Sequence, residues 1–185
     1  MATKVVTGKV RFSYLNVFEA KVPQNGGDAK YSVTLLIPKS DTVTLGKIKQ
    51  AMQDARENFC ARNGANAIPT KFNHTLHDGD GLRDSGEPYG EECKGHYVIT
   101  VSSKNKPVIV DRNGQPIIDM GEIWSGCYGR ASINFYGYNT NGKKGVSAGL
   151  LAVQKLADGE PFGTVGSASD FEDGFSDGDD DDFLS

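Results

Sequence analysis

Only one stretch of this chain repeats its apolar residues with a helical period, and that removes most architectures at once. Leu45, Ile48, Met52, Ala55 and Phe59 are three or four residues apart, so they line one face of a helix. Ser40 or Asp41 can cap its start and Gly64 can close its end, which predicts a helix over about 41–63. Elsewhere the readable period is two. A parallel nucleotide-binding sheet needs a helix after each strand, so that class is excluded.

The first period-two run is VVTGKVRFSYLNVFE, residues 5–19. Val6, Val10, Phe12 and Tyr14 share one parity; Thr7, Lys9, Arg11 and Ser13 share the other, giving a half-buried strand with a basic outer face. Leu15 and Val17 break the alternation, which predicts a bend or bulge near Gly8 or Asn16. After the turn PQNGGD, the run KYSVTLLIP turns Tyr31, Val33, Leu35 and Ile37 inward, and Pro38 ends it. Residues 64–95 are poor in apolar side chains and read as a long irregular surface excursion. Strand patterns resume at HYVITVSS (96–103) and KPVIVD (106–111), with an Asn113-Gly114 hairpin turn before PIID. The strand GCYGRASINFYGY (126–138), a basic hairpin loop (139–145) and VSAGLLAVQKL (146–156) complete the series. The predicted fold is mainly β: a small antiparallel barrel with one inserted helix. The OB fold is the common barrel of this size that shows a strand face to single-stranded nucleic acid.

The last residues cannot join that barrel. DFEDGFSDGDDDDFLS, 170–185, has eight acidic side chains, no basic ones and three phenylalanines. Its apolar area is too small to offset the entropy of ordering it, so a mobile acidic arm is expected. The predicted organisation is therefore a binding domain over 1–157, a flexible linker over 158–169 and an acidic tail over 170–185. The net charge of −4 conceals this division. Twenty basic against fourteen acidic residues leave +6 on 1–157, and ten acidic residues put −10 on 158–185. A basic body with an acidic tail fits a body that meets nucleic acid or another polyanion.

The strand at 126–138 separates by parity. Cys127, Gly129, Ala131, Ile133, Phe135 and Gly137 are small or apolar and belong inside; Tyr128, Arg130, Ser132, Asn134, Tyr136 and Tyr138 face outward. Aromatic rings stack on bases whatever the sequence, at about 1–3 kcal/mol per base. Arginine stacks on bases or contacts phosphate. The predicted contacts to single-stranded DNA are thus Tyr128, Arg130, Tyr136 and Tyr138, with Lys9, Arg11, Lys143 and Lys144 following the phosphates.

The blocks VRFSYLNVFEAK, YSVTLLIPKSD, DGDG, YGEECKGHYVITVSSKNKP, EIWSGCYGRASINFYGY and KKGVSAGLLAVQKL, in that order and followed by an acidic tail, resemble a family of phage single-stranded DNA-binding proteins. That family was first catalogued as a domain of unknown function and is similar in plan to the single-stranded DNA-binding protein of phage T7. The resemblance spans roughly residues 5–160 and the tail. It implies an OB fold, a role in phage replication and recombination, and a tail that recruits replication proteins such as a polymerase, helicase-primase or recombinase. The tail residues concerned would be Phe171, Phe175, Asp179, Asp180, Asp181, Asp182 and Phe183. In the T7-type protein the tail ends on its aromatic residue, whereas Leu184 and Ser185 follow Phe183 here.

Other chemistry is weakly represented. Asp78-Gly-Asp-Gly-Leu-Arg-Asp84 begins like a calcium loop, but Leu82 takes a ligand position and no Glu stands at the twelfth. His74 and His77 with Cys60, Cys93 and Cys127 lack zinc-site spacing. No P-loop or nucleophile triad is present, and scattered acids do not make a nuclease. No enzyme activity, metal or cofactor is expected. Three widely spaced cysteines suit a reducing compartment, the start MATKVVTGKV lacks a signal-peptide core, and no membrane span is visible, so a cytoplasmic protein is expected, in the host bacterium if phage-encoded. A basic face also admits duplex DNA, and free sheet edges admit a homodimer. The competing reading is an OB-like protein-interaction adaptor whose DNA binding is incidental.

Overall fold

The computed structural model describes residues 3–22, 26–83, 85–140 and 142–162. Eight strands form one sheet: β1 (Lys4–Val6), β2 (Val10–Lys21), β3 (Lys30–Pro38), β4 (Leu76–Asp78), β5 (His96–Ser103), β6 (Val108–Val110), β7 (Tyr128–Thr140) and β8 (Lys143–Ala157). One α-helix among the described residues, α1 (Thr42–Asn63), lies between β3 and β4. Five strands close on themselves in the order β7-β2-β3-β5-β8, because β7 also pairs with β8. An odd number of strands cannot close with every neighbour antiparallel. The predicted antiparallel barrel accordingly contains one parallel junction, β5 on β8 at Ser102 and Gly149. The short β6 adds a second parallel pairing on β8.

The helix lies where its period predicts. Asp41 is the N-cap, its carboxylate accepting from Thr44 N, and Gly64 follows the last turn. Leu45, Ile48, Met52 and Ala55 are buried, as is Ala51. The helix rests on β7 where the sheet has no side chain: a β-carbon on Gly137 would meet Phe59 Cβ at 2.6 Å and Ile68 Cδ1 at 2.8 Å. Inside the barrel, Phe12, Val33, Leu35, Ile37, Ile99, Ile133 and Phe135 are at most 1% exposed. Each such burial is worth about 1.5–3 kcal/mol.

The first run departs from simple alternation in the two regions that its broken phase marks. The chain leaves the ladder at Thr7–Lys9, so Val5 is buried and Val6 exposed, the reverse of the parity expectation. Then Ser13 pairs with Thr34 while Asn16 pairs with Ser32. Three steps on β2 match two on β3, which is a β-bulge. Buried positions shift from Val10 and Phe12 to Val17. Tyr14, expected inside, is expelled: it is 63% exposed, and at φ 47° it is the one non-glycine residue with positive φ among the described residues.

Two other expectations need correction. The excursion over 64–95 is partly ordered, since β4 pairs with β5 and Ile68 is fully buried. The hairpin after β7 is tighter than a 139–145 loop, because Thr140 pairs with Lys143 and Asn139 with Lys144. Lys143 and Lys144 therefore belong to a strand.

Candidate nucleic-acid interface

The outer face of the barrel is organised in rows that cross several strands. Opposed residues in paired strands point to the same side. Tyr128 stands opposite Arg11, Arg11 opposite Leu36, Leu36 opposite Val98, and Val98 opposite His77. One row thus crosses β7, β2, β3, β5 and β4 and presents Tyr, Arg, two aliphatic residues and His. Two residues further on, Ser13, Thr34 and Thr100 form a hydroxyl row, with Thr34 Oγ1 and Thr100 Oγ1 3.1 Å apart. A third row holds Asn16, Ser32, Ser102, Gly149 and Asn134. From Leu36 to Ser32 is roughly 13 Å along the strand. The floor is therefore narrow-chained and polar between two ends that carry rings and charge.

At the first end Arg11 is the hub. Its guanidinium lies 5.4 Å from the Tyr128 ring centroid and 4.2 Å from that of Phe162. Nε donates to Gly126 O at 3.0 Å and Nη2 to Glu160 O at 2.7 Å. Lys9 Nζ stands 5.1 Å from the same Tyr128 ring. Leu36, Cys93 and Val98 form a small second core, with Tyr89 and Phe162 packed on it. Arg83 stacks on Tyr89 at 4.8 Å. Tyr14 and Arg83 border a cleft of about 270 Å³ over Thr34 and Thr100. At the other end, Tyr136, Lys30 and Lys104 border a cleft of about 240 Å³ beside Ser102 and Gly149. An exposed Asp28 lies 2.9 Å from Lys104, and its hydrogen bond holds the lysine above its ordinary range.

Residues 64–95 are pinned beside this face by an ion pair. Lys39 Nζ lies 2.6 Å from Asp78 Oδ1 and 2.6 Å from Asp80 Oδ2. Those carboxylates begin the calcium-like stretch, and here they hold an ammonium group.

The chain matches, over residues 3–184, the model of the family described as Enterobacter phage Enc34, ssDNA-binding protein. It belongs to the Enc34 phage single-stranded DNA-binding protein family. Protein p50 of Acyrthosiphon pisum secondary endosymbiont phage 1 is 33% identical over 175 residues, covering 92% of this chain and 93% of that protein. The structure of the single-stranded DNA-binding protein from bacteriophage Enc34 in complex with ssDNA superposes with a TM-score of 0.75 at 26% identity. That match covers 87% of this chain and 90% of the other. The single-stranded DNA-binding protein encoded by bacteriophage T7 shares the fold, with a TM-score of 0.60 at 16% identity over 96% of this chain and 97% of that one. The resemblance and the OB barrel expected from sequence are both present. The family is one of binding proteins, not enzymes.

Within this family member, the sequence-predicted contacts fall into separate groups. Lys9, Arg11 and Tyr128 come together at the first end of the face. Tyr136, 46% exposed, stands at the second. Arg130 Nε donates to Thr7 O at 2.8 Å, and its side chain borders a cleft between β1 and α1. Tyr138, Lys143 and Lys144 lie at the distal hairpin, where Asn73 Nδ2 donates to Lys144 O. Phe171, Phe175, Asp179, Asp180, Asp181, Asp182 and Phe183 lie outside the described residues. The first linker residues contact the body: Trp124 Nε1 donates to Gly159 O at 3.0 Å, and Lys155 pairs with Asp158 at 2.6 Å.

Sequence reading missed Tyr14, Lys30, Arg83, Tyr89, Lys104 and Phe162. The broken phase at Leu15 and Val17 marked the bulge that exposes Tyr14; nothing local marked the others. Among the described residues, no group of three or more His, Cys, Asp or Glu side chains could hold a metal ion. No helix among them is long and apolar enough to cross a membrane.

Proposed function

We propose that this chain binds single-stranded DNA with little sequence preference, in phage replication and recombination, along the outer face of the barrel. The observation that carries the reading is the row Tyr128–Arg11–Leu36–Val98–His77, which crosses five strands in register. Rings and a guanidinium at one end, Tyr136 with two lysines at the other, and hydroxyls between them suit bases that stack and phosphates that are neutralised. Likeness to a protein solved in complex with ssDNA supports single-stranded DNA as the ligand. The Ser and Thr floor offers donors and acceptors without a fixed pattern, which suits sequence-tolerant binding.

The tail is the second part of the proposal. A tethered polyanion has a high effective concentration near a positive face. It competes with DNA for that face, and bound DNA frees its phenylalanines for replication proteins. The test is a salt-titrated comparison of oligo-dT and duplex binding, with and without residues 163–185. Binding of oligo-dT that falls steeply with salt, preferred over duplex and tightened by truncation, supports the reading. Absence of any oligo-dT binding at low salt refutes it and leaves the protein-adaptor alternative.

A further inference from the structure

The last described residues lie on the proposed face, and their contacts have the chemistry of a nucleotide. Phe162, with Tyr89, packs against the small core of Leu36, Cys93 and Val98, in which Leu36 and Val98 are 0% and 7% exposed although both point outward from the barrel. Arg11 stacks its guanidinium on that ring with the centroid 4.2 Å away. Arginine covers a nucleobase in the same way. Two residues earlier, Glu160 O accepts from Arg11 Nη2 at 2.7 Å, a position that a phosphate oxygen satisfies equally well. An aromatic ring over an aliphatic floor, with an acceptor oxygen on the same arginine, reproduces a base and its phosphate.

The segment is also held by few bonds. Phe162 N donates to Ser125 O at 3.2 Å and Trp124 Nε1 donates to Gly159 O at 3.0 Å. The bond from Arg11 Nη2 to Glu160 O is a third anchor, and the Lys155–Asp158 pair, whose carboxylate is 73% exposed, is a fourth. An ion pair with one partner so exposed contributes little. Release of the segment would remove one of the two rings packed on the core of Leu36, Cys93 and Val98, and an incoming ring restores that apolar contact.

We infer that the seat of Phe162, formed by Arg11 and the small core of Leu36, Cys93 and Val98, is a stacking site for one unpaired nucleobase, which Phe162 occupies until DNA displaces it. The inference rests on the reading of this face as the single-stranded DNA site and adds an uncharged element to its control. Competition by the acidic tail is screened by salt. Competition by a stacked ring is not.

Hydrogen exchange on the unmodified full chain tests this, with oligo-dT as the probe. On binding, the peptide over 158–162 loses protection while peptides of β3 and β5 gain it. Gained or unchanged protection over 158–162 in the bound state overturns the inference. In full-length Phe162→Ala, oligo-dT affinity rises about threefold or more, because the competent fraction is no longer reduced by an internal occupant. The rise persists at 0.5 M salt as a chosen condition, about the range where the Debye length is near 4 Å. Unchanged or weaker affinity marks Phe162 as a mere cover of the small core. If neither protein binds oligo-dT at low salt, the DNA reading itself fails, and the two failures stay separate.

Discussion

Lys39 reaches across 41 residues of sequence to hold Asp80 at 2.6 Å. Asp78 accepts from the same ammonium. Asp80 also accepts from Gly95 N, so one lysine ties both ends of the 78–95 segment to the end of β3. The hydrogen bond from Lys39 holds both aspartates below the ordinary carboxylate range, and the two aspartates push Lys39 well above the ordinary lysine range. A depressed carboxylate contributes above its unfolded value and loses its contribution as pH falls through the folded one. The clamp therefore stays intact from neutral pH to below about 4. Amide exchange at Gly95, followed by NMR, is expected to accelerate only under more acidic conditions, and Lys39→Ala to remove that protection at neutral pH.

Tyr14 separates stability from binding. Its positive φ is backbone strain, of the order of 1–3 kcal/mol for a non-glycine residue. Asparagine tolerates this conformation better. Tyr14→Asn is expected to leave thermal stability unchanged or raised, and to weaken oligo-dT binding by about the 1–3 kcal/mol of one stacked base. Paired melting and fluorescence-anisotropy measurements check both halves.

Arg130 and Lys104 should behave oppositely. Arg130 is bonded to Thr7 O beside the helix, so Arg130→Ala is expected to lower stability and leave the salt slope of oligo-dT binding unchanged. Lys104 borders the Tyr136 cleft. Lys104→Ala is expected to reduce the slope of log K against log salt by about 0.7, the value for one phosphate on a single strand. Titrations at four or more salt concentrations resolve the difference.

Gly129 marks the tightest point between β7 and the core. A β-carbon there would run into the Gln154 carbonyl oxygen and the Phe12 ring. Gly129→Ala is expected to destabilise the barrel by about 1–3 kcal/mol through overpacking, read as a lower urea midpoint at unchanged slope.

The helix, most strand spans and the basic-body, acidic-tail division were legible in the sequence. Each is written in spacings of two, three or four residues, or in local charge. The stripe of Leu45, Ile48, Met52, Ala55 and Phe59 needed no partner to be recognised, although Phe59 is only half-buried, and the structure chose Asp41 over Ser40 as the cap. The fate of Tyr14 was half legible. The lost phase announced a bulge, but which residue was expelled depended on Ser13 meeting Thr34 and Asn16 meeting Ser32.

The candidate site was less legible because its residues come from distant strands. Parity placed Tyr128, Arg130, Tyr136 and Tyr138 on one side of β7, yet it could not say what lay beside each. The segment after β1 holds Arg130 through Thr7 O, while β2 and the residue before it bring Arg11 and Lys9 to Tyr128. Parity left Leu36 on the outward side of its strand, and nothing local showed that it would join Cys93 and Val98 in a small second core with Tyr89 and Phe162 packed on it.

The sequence by itself determined the element types, the one α-helix of the described residues and the charge that the body and tail carry, because hydrophobic period and composition act within a few residues. Only the tertiary structure decided the row from Tyr128 through Arg11, Leu36 and Val98 to His77. That row depends on the register of four strand pairs, and a slip of one residue in any of them would turn its side chains to the opposite face. Barrel closure sets those registers together, and no local stretch contains them.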